Sequence, residues 1–388
     1  MASSATPTTR ARPTPPVPSP VAHLSFSSDY SCFIVAGASA AHWLCCDTLE
    51  PRGLYQERDP AAATIVAVAG DMLNPKESRC AVVSLDAAKT NFTVRRWKPG
   101  HMNYHWRYAE EEATLQAAEA EAVLAVRVHG DRIVLVYPRR LEVLGSSWRD
   151  VDGPVLLHRV ETGENPLGLC AVSSSSSQGQ GSGSDDLFAY ACPGEKVGEV
   201  RVERWEAAAG ASPVAVAIRA HSSELKCVAM SCDGGLVATA SVKGTVLRVF
   251  RAADGKLLLE VRRGSDSADI HCIAFSPDSK WLAVSSDKAT MHVFSVVDVD
   301  SPAEANANKR SSLSFLGLGG SALGYFLSEW SFAQFRVEEG RKYLVAFGKQ
   351  LCTVHIIGMD GSFYRCQFNP EKGGQMERLE FRNFINPQ

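Results

Sequence analysis

Two adjacent arginines followed by a glycine, Arg262-Arg263-Gly264, are the residues of this chain best suited to holding an anion. Arginine presents a planar fork of N–H donors that matches phosphate oxygens. Neighbouring side chains on a strand point to opposite faces, so successive arginines would serve two separate grooves. Partners for each lie nearby in sequence. His221, Thr239, Ser241, Lys243, Gly244, Thr245 and Arg248 could join Arg262 on one side, while Gly264, Ser286, Thr290 and His292 could join Arg263 on the other. From residue 221 to 264 seven Lys or Arg stand against four acids, a local excess of three in a chain of net charge −3. A dibasic pair beside a glycine is commonly a solvated corner; the opposed geometry and a duplicated Ser-x-Lys-x-Thr turn argue for anion pockets.

Other chemistries find less support. Gly317–Ala322 (GLGGSA) formally fits a dinucleotide fingerprint but lacks the strand-to-helix setting and the acidic residue it requires. His101 and His105 have no further metal ligands near them, and neither a G-x-S-x-G nor a phosphate-loop pattern is present. No enzyme activity, metal or cofactor is expected. With 40 Lys and Arg against 43 Asp and Glu, bulk charge does not suggest a nucleic-acid partner. The longest apolar stretch, residues 61–69, is far shorter than the roughly 20 residues of a spanning helix. Eleven cysteines without a C-x-x-C pair, and no apolar signal core, lead us to expect reduced thiols in the cytoplasm.

The elements that would position these residues read as strands. Short apolar, often β-branched runs alternate with Gly, Asp, Asn and Ser, as in CFIVA, TIVAV and RIVLVY. Residues 1–20 are expected to be a disordered tail, residues 173–186 a low-complexity loop, and AEEEATLQAAEAEA (109–122) a connecting loop or short surface helix. Residues 225–245 align without a gap on residues 270–290, with eight of 21 positions identical. A repeat of about 45 residues with strand–turn–strand content is the mark of a WD-type propeller blade. About 320 residues outside the low-complexity segments then predict an all-β, seven-bladed propeller over 21–388. Its blades would be four-stranded and antiparallel, and its ring closed by pairing strands from both chain ends. The expected blades run over 23–55, 64–97, 122–159, 169–218, 225–261, 270–330 and 332–381.

The run LEVRRGSDSADIHCIAF, followed by AVSSDKATMHVF, resembles the PROPPINs, the phosphoinositide-binding seven-bladed propellers of autophagy, which carry a [F/L]-R-R-G motif. Val261 stands where that family has Phe or Leu. ENPLGLC (164–170) and SEWSFAQF (328–335) are similar to the branch that includes the human WD-repeat protein of β-propeller-associated neurodegeneration. The resemblance implies one pocket with His221, Thr239, Ser241, Gly244, Thr245, Arg248 and Arg262, and a second with Arg263, Gly264, Ser286, Thr290 and His292. It also implies binding to phosphatidylinositol 3-phosphate and 3,5-bisphosphate. A bridge-like autophagy lipid-transfer protein is implied as partner on the first three blades.

Residues 298–327 are too long for a hairpin, and their second half is amphipathic, with Leu313, Phe315, Leu316, Leu323 and Phe326. By resemblance this loop would dip into a membrane beside the pockets. The expected protein is a monomeric, cytoplasmic effector, peripheral on phagophore and endosomal or vacuolar membranes. A phosphate beside His292 would favour its charged form, so binding is expected to strengthen between about pH 7.5 and 6. The competing expectation is a protein-binding WD scaffold that ignores lipid.

Overall fold

The computed structural model describes residues 17–57, 59–61, 63–71, 79–86, 92–99, 108–115, 122–130, 132–145, 155–173, 188–205, 212–296, 309–310 and 329–386. Among them every regular element is a strand. The chain builds successive antiparallel meanders over 23–56, 63–115, 125–161, 171–219 and 225–262. A sixth sheet joins Ile270–Phe275, Trp281–Ser286 and Thr290–Ser295 to Ala333–Arg336, and a seventh joins Tyr343–Phe347, Thr353–Gly358, Ser362–Gln367 and Glu377–Asn383. The first strands of neighbouring sheets lie side by side, so they line the inner wall of a ring.

The expectation of alike four-stranded antiparallel blades with a ring closed by strands from both chain ends is corrected. Five sheets have four strands; the fifth has six and the sixth has five. Their extra strands include parallel pairs, Val261 opposite Glu329 in one and Ala333 opposite Gly374 in the other. Ala333–Arg336 completes the sixth sheet rather than opening the seventh, because it pairs with Thr290–Ser295. Among the described residues no strand is exchanged at the seam, since the first sheet is complete within 23–56 and the last within 343–383. Side chains close the ring instead. Phe33, Val35, Leu44 and Cys46 pack on Ile357, Phe363 and Phe384, with the Phe33 and Phe384 rings 5.1 Å apart. Arg365 donates to the carbonyl of Cys46 at 3.3 Å, to the carbonyl of Asp47, and to Glu380 at 3.1 Å.

Alternation along each strand sends one set of side chains to each neighbour. From the fifth sheet Ala238, Ala240, Leu247, Val249 and Val261 pack on Ile270, Ile273, Phe275, Leu282 and Val284 of the sixth. Its Val237 and Phe250 pack instead on Val200, Val202 and Ile218 of the fourth. Each fully buried aliphatic side chain contributes about 1.5–3 kcal/mol, so both faces hold the fifth sheet firmly.

The internal repeat is reproduced down to its hydrogen bonds. Ser231 Oγ donates to Asp233 at 2.5 Å and accepts the Leu236 amide at 2.8 Å; Ser276 does the same with Asp278 and Trp281, at 2.6 and 2.9 Å. Left-handed residues recur at the offset of 45: Gly234 (φ 67°) with Ser279 (φ 58°), and Gly244 (φ 61°) with Ala289 (φ 53°).

Residues 109–122 carry a second correction. Tyr108–Leu115 is a strand, paired with Phe92–Pro99 so that Arg95 faces Glu112 and Arg96 faces Glu111. Pairing of this backbone with the preceding strand overrides the helix propensity of the Glu/Ala run. Of the expected tail (1–20) residues 1–16, of the expected serine-rich loop (173–186) residues 174–186, and His101 and His105 lie outside the described residues, while Val17 packs on the core between the first and last sheets.

Candidate anion-binding grooves beside the fifth sheet

Register decides which way each candidate faces. Thr239 stands opposite Arg248, Arg248 opposite Glu260, and Val246 opposite Arg262, so Thr239, Ser241, Arg248, Glu260 and Arg262 share one face of the fifth sheet. That face borders the fourth sheet, whose chain leaves through Ala220 and His221. Arg263, one residue on, continues the opposite face, where Val261 packs on the sixth sheet. The two arginines therefore diverge into different grooves.

In the first groove His221 Nε2 and Thr239 Oγ1 are 2.9 Å apart. Arg248 donates to the Ala220 carbonyl at 2.5 Å and to Glu260 at 2.7 Å, with its Nη1 3.5 Å from His221 Nδ1. Burial and the Arg248 cation hold the His221 imidazole down to about 4. It is therefore neutral at physiological pH. Thr239 and Ser241 are buried, Thr245 and Arg262 are half-buried, and Lys243 is exposed. Gly244 is required by space as well as by its φ, because a Cβ there would come 1.8 Å from the Ala268 carbonyl oxygen.

The second groove is tighter. Arg263 is buried, and its guanidinium donates to the Gly244 carbonyl at 3.3 Å and the Asp266 carbonyl at 2.6 Å. Burial lowers its pKa, opposed by Asp287 and Asp266 nearby. Val284 stands opposite His292 and Ile270 opposite Ser286, which places Ser286, Thr290 and His292 on one face of the sixth sheet, toward Arg263. Burial first, and then the Arg263 cation, hold His292 down to about 4, and its Nδ1 is buried without a hydrogen-bond partner. Ser286 accepts the Lys288 amide at 3.3 Å, and Thr290 donates to the Lys288 carbonyl at 3.4 Å. Gly264 has open space around it and an ordinary φ, so nothing steric demands a glycine.

Sequence reading missed two acids. Glu260 neutralises Arg248, and Asp287 lies in the field of Arg263. The first was readable from hairpin register, the second only from the packing of two sheets. The local positive excess is smaller than the residue count implies, because Lys226 pairs with Asp269, an acid beyond residues 221–264. No group of three or more metal-ligating side chains occurs among the described residues. Leu313, Phe315, Leu316, Leu323 and Phe326 lie outside the described residues; within that loop Lys309–Arg310 pairs with Glu329–Trp330. Among the described residues no helix is long and apolar enough to cross a membrane.

Comparison with known proteins identifies the family. The family model described as PROPPIN matches residues 80–318. The chain is 38% identical over 270 residues to Autophagy-related protein 18e of Arabidopsis thaliana, covering 69% of this chain and 64% of that protein. It is 30% identical over 287 residues to Autophagy-related protein 18 of Schizosaccharomyces pombe, covering 65% of this chain and 73% of that one. The chain thus spans about two thirds to three quarters of these relatives. Among solved structures, Kluyveromyces lactis Hsv2 superposes with a TM-score of 0.67 at 21% identity, over 95% of this chain and 99% of that chain. The structure titled a complex of KlAtg21 with the coiled-coil of AgAtg16 superposes at 0.65 with 19% identity, over 94% and 99%. These superpositions concern the fold. Two arginines on opposite faces of one propeller sheet sit inside a matched family region and between relatives named for autophagy: the chain belongs to the PROPPIN family.

Proposed function

We propose that the protein is a peripheral membrane effector of autophagy that recognises 3-phosphorylated inositol lipids, phosphatidylinositol 3-phosphate or the 3,5-bisphosphate, through the two grooves flanking its fifth sheet. The observation that carries this reading is the divergence of Arg262 and Arg263 to opposite faces of Leu257–Arg262 and its extension. Each groove combines a guanidinium, at least one buried hydroxyl and an imidazole that a phosphate would favour in its charged form. Charge-assisted hydrogen bonds contribute roughly 1.5–3 kcal/mol each, so one shallow groove alone binds weakly. Two grooves on one rim, with residues 298–327 entering the bilayer, raise apparent affinity by about 10²–10⁴. Arg263 already bonds two carbonyls, leaving part of its five-donor fork for a phosphate.

Recruitment of autophagy machinery, including a bridge-like lipid-transfer protein on the first three sheets, belongs to the same reading. A scaffold reading has one observation of its own. Val155, Leu156 and Leu157 are about half exposed on the outer side of the third sheet, a surface suited to a protein partner. Flotation with liposomes separates the two. Arg262→Thr with Arg263→Thr is expected to abolish recruitment to 3-phosphorylated liposomes while the circular dichroism spectrum is unchanged; undiminished flotation would leave the scaffold.

A further inference from the structure

Cys32 and Cys45 face each other across the first hairpin, Cys32–Ala36 against Ala40–Cys45. The Cys46 amide donates to the Ser31 carbonyl at 3.0 Å. A bond between the residues flanking a pair in this way identifies a non-hydrogen-bonded pair, the type whose side chains approach most closely, with Cα atoms about 4.5 Å apart. That lies within the roughly 4.4–6.8 Å that a disulfide spans. Both residues are on the face that carries Ile34 and Trp43, the side packed on the second sheet.

The sulfur of Cys45 is also cradled. Arg52 Nη2 lies 3.8 Å from it, and the amides of Asp47 and Thr48 and the hydroxyl of Thr48 are directed at it. Burial pushes the Cys45 thiol up, yet these donors outweigh burial and its pKa falls below the ordinary value. Cys32 is the opposite case: burial, and then the nearby Asp29, push its thiol up to about 12. The turn at the end of the cradle is open to solvent at Asp47, Thr48 and Glu50. One sulfur is stabilised as a thiolate and its neighbour is held as a thiol, the division of labour between an attacking and a resolving cysteine.

We propose that Cys32 and Cys45, both free thiols in this structure, form a reversible disulfide in response to peroxide. The Cys45 thiolate attacks one oxygen of hydrogen peroxide; the O–O bond breaks, and the departing hydroxide takes a proton to leave as water. The Cys32 sulfur then attacks the Cys45 sulfenic acid, and the Cys32 proton departs with the hydroxyl as a second water. Two thiols and one peroxide give one disulfide and two waters, two electrons passing from sulfur to oxygen. A bond across adjacent strands belongs to the labile class that dithiol reductants reopen.

The test treats the full-length protein with hydrogen peroxide, alkylates the remaining thiols in denaturant and digests with chymotrypsin, which cuts between the two cysteines at Phe33, Trp43 and Leu44. Mass spectrometry is expected to find the Cys32 and Cys45 peptides joined, and separated again after dithiothreitol. The link is expected to persist in Cys46→Ser and vanish in Cys45→Ser. Both cysteines alkylated after peroxide, or Cys45 joined to Cys46 instead, would overturn the proposal. If Cys45→Ser fails to fold, the mapped link in the wild type and in Cys46→Ser still decides it.

Discussion

Arg263 is buried against carbonyl oxygens and beside a neutral imidazole, and that arrangement has measurable consequences. His292 titrates near 4 in the folded chain against about 6.5 unfolded. As pH falls below 6.5 the unfolded chain takes up the proton first, so the stability tied to this residue is full above that value and is lost toward pH 4. By pH 5 the loss should reach about 1–3 kcal/mol, and His292→Gln should lower Tm less between pH 7 and 5 than the wild type does. The expected gain in lipid binding between pH 7.5 and 6 must be revised accordingly. Wild-type and His292→Ala profiles should run parallel there, and divergence above pH 6 would mean that phosphate overcomes the burial. Two glycines differ sharply at the same scale. Gly244→Ala should cost more than about 2 kcal/mol in urea unfolding, because its Cβ meets a backbone oxygen at a left-handed φ, whereas Gly264→Ala should fall within about 0.5 kcal/mol.

Individual strands and turns explain what could be read in advance. The Ser-x-Asp turn was legible because a short hydroxyl and a carboxylate at that spacing satisfy turn amides locally, without help from distant residues. Ser276→Ala removes both the Asp278 and the Trp281 bonds and should cost about 1–2 kcal/mol, read as a lower urea midpoint at unchanged m. The opposed arginines were legible for the same local reason, since strand alternation needs only adjacent residues. Tyr108–Leu115 was not, because its Glu-rich sequence becomes a strand only by pairing with Phe92–Pro99 across the ladder. Ala333–Arg336 was misassigned because its partner strand lies some 40 residues earlier in the chain. The Asp287 contact likewise depends on packing between two sheets that no local pattern announces, whereas the Glu260 contact follows from hairpin register.

At the scale of the whole ring, the seam between the first and last sheets depends on apolar packing and one guanidinium. Arg365→Ala removes donors from the Cys46 and Asp47 carbonyls and leaves Glu380 to Arg382 alone. A loss of about 1–3 kcal/mol is expected, with earlier proteolysis of the first and seventh sheets than of the third; an unchanged Tm would assign closure to Phe33, Phe363 and Phe384.

Because both sheets bordering that seam are finished by contiguous chain, this boundary is architecturally like the others in the ring. Residue 383 ends an outer strand and residue 23 begins an inner one, the same step that separates Pro51–Gln56 from Ala63–Asp71 in the first two sheets. Joining the ends by a short tether and reopening the chain between the third and fourth sheets should therefore yield a circular permutant that folds to the same ring.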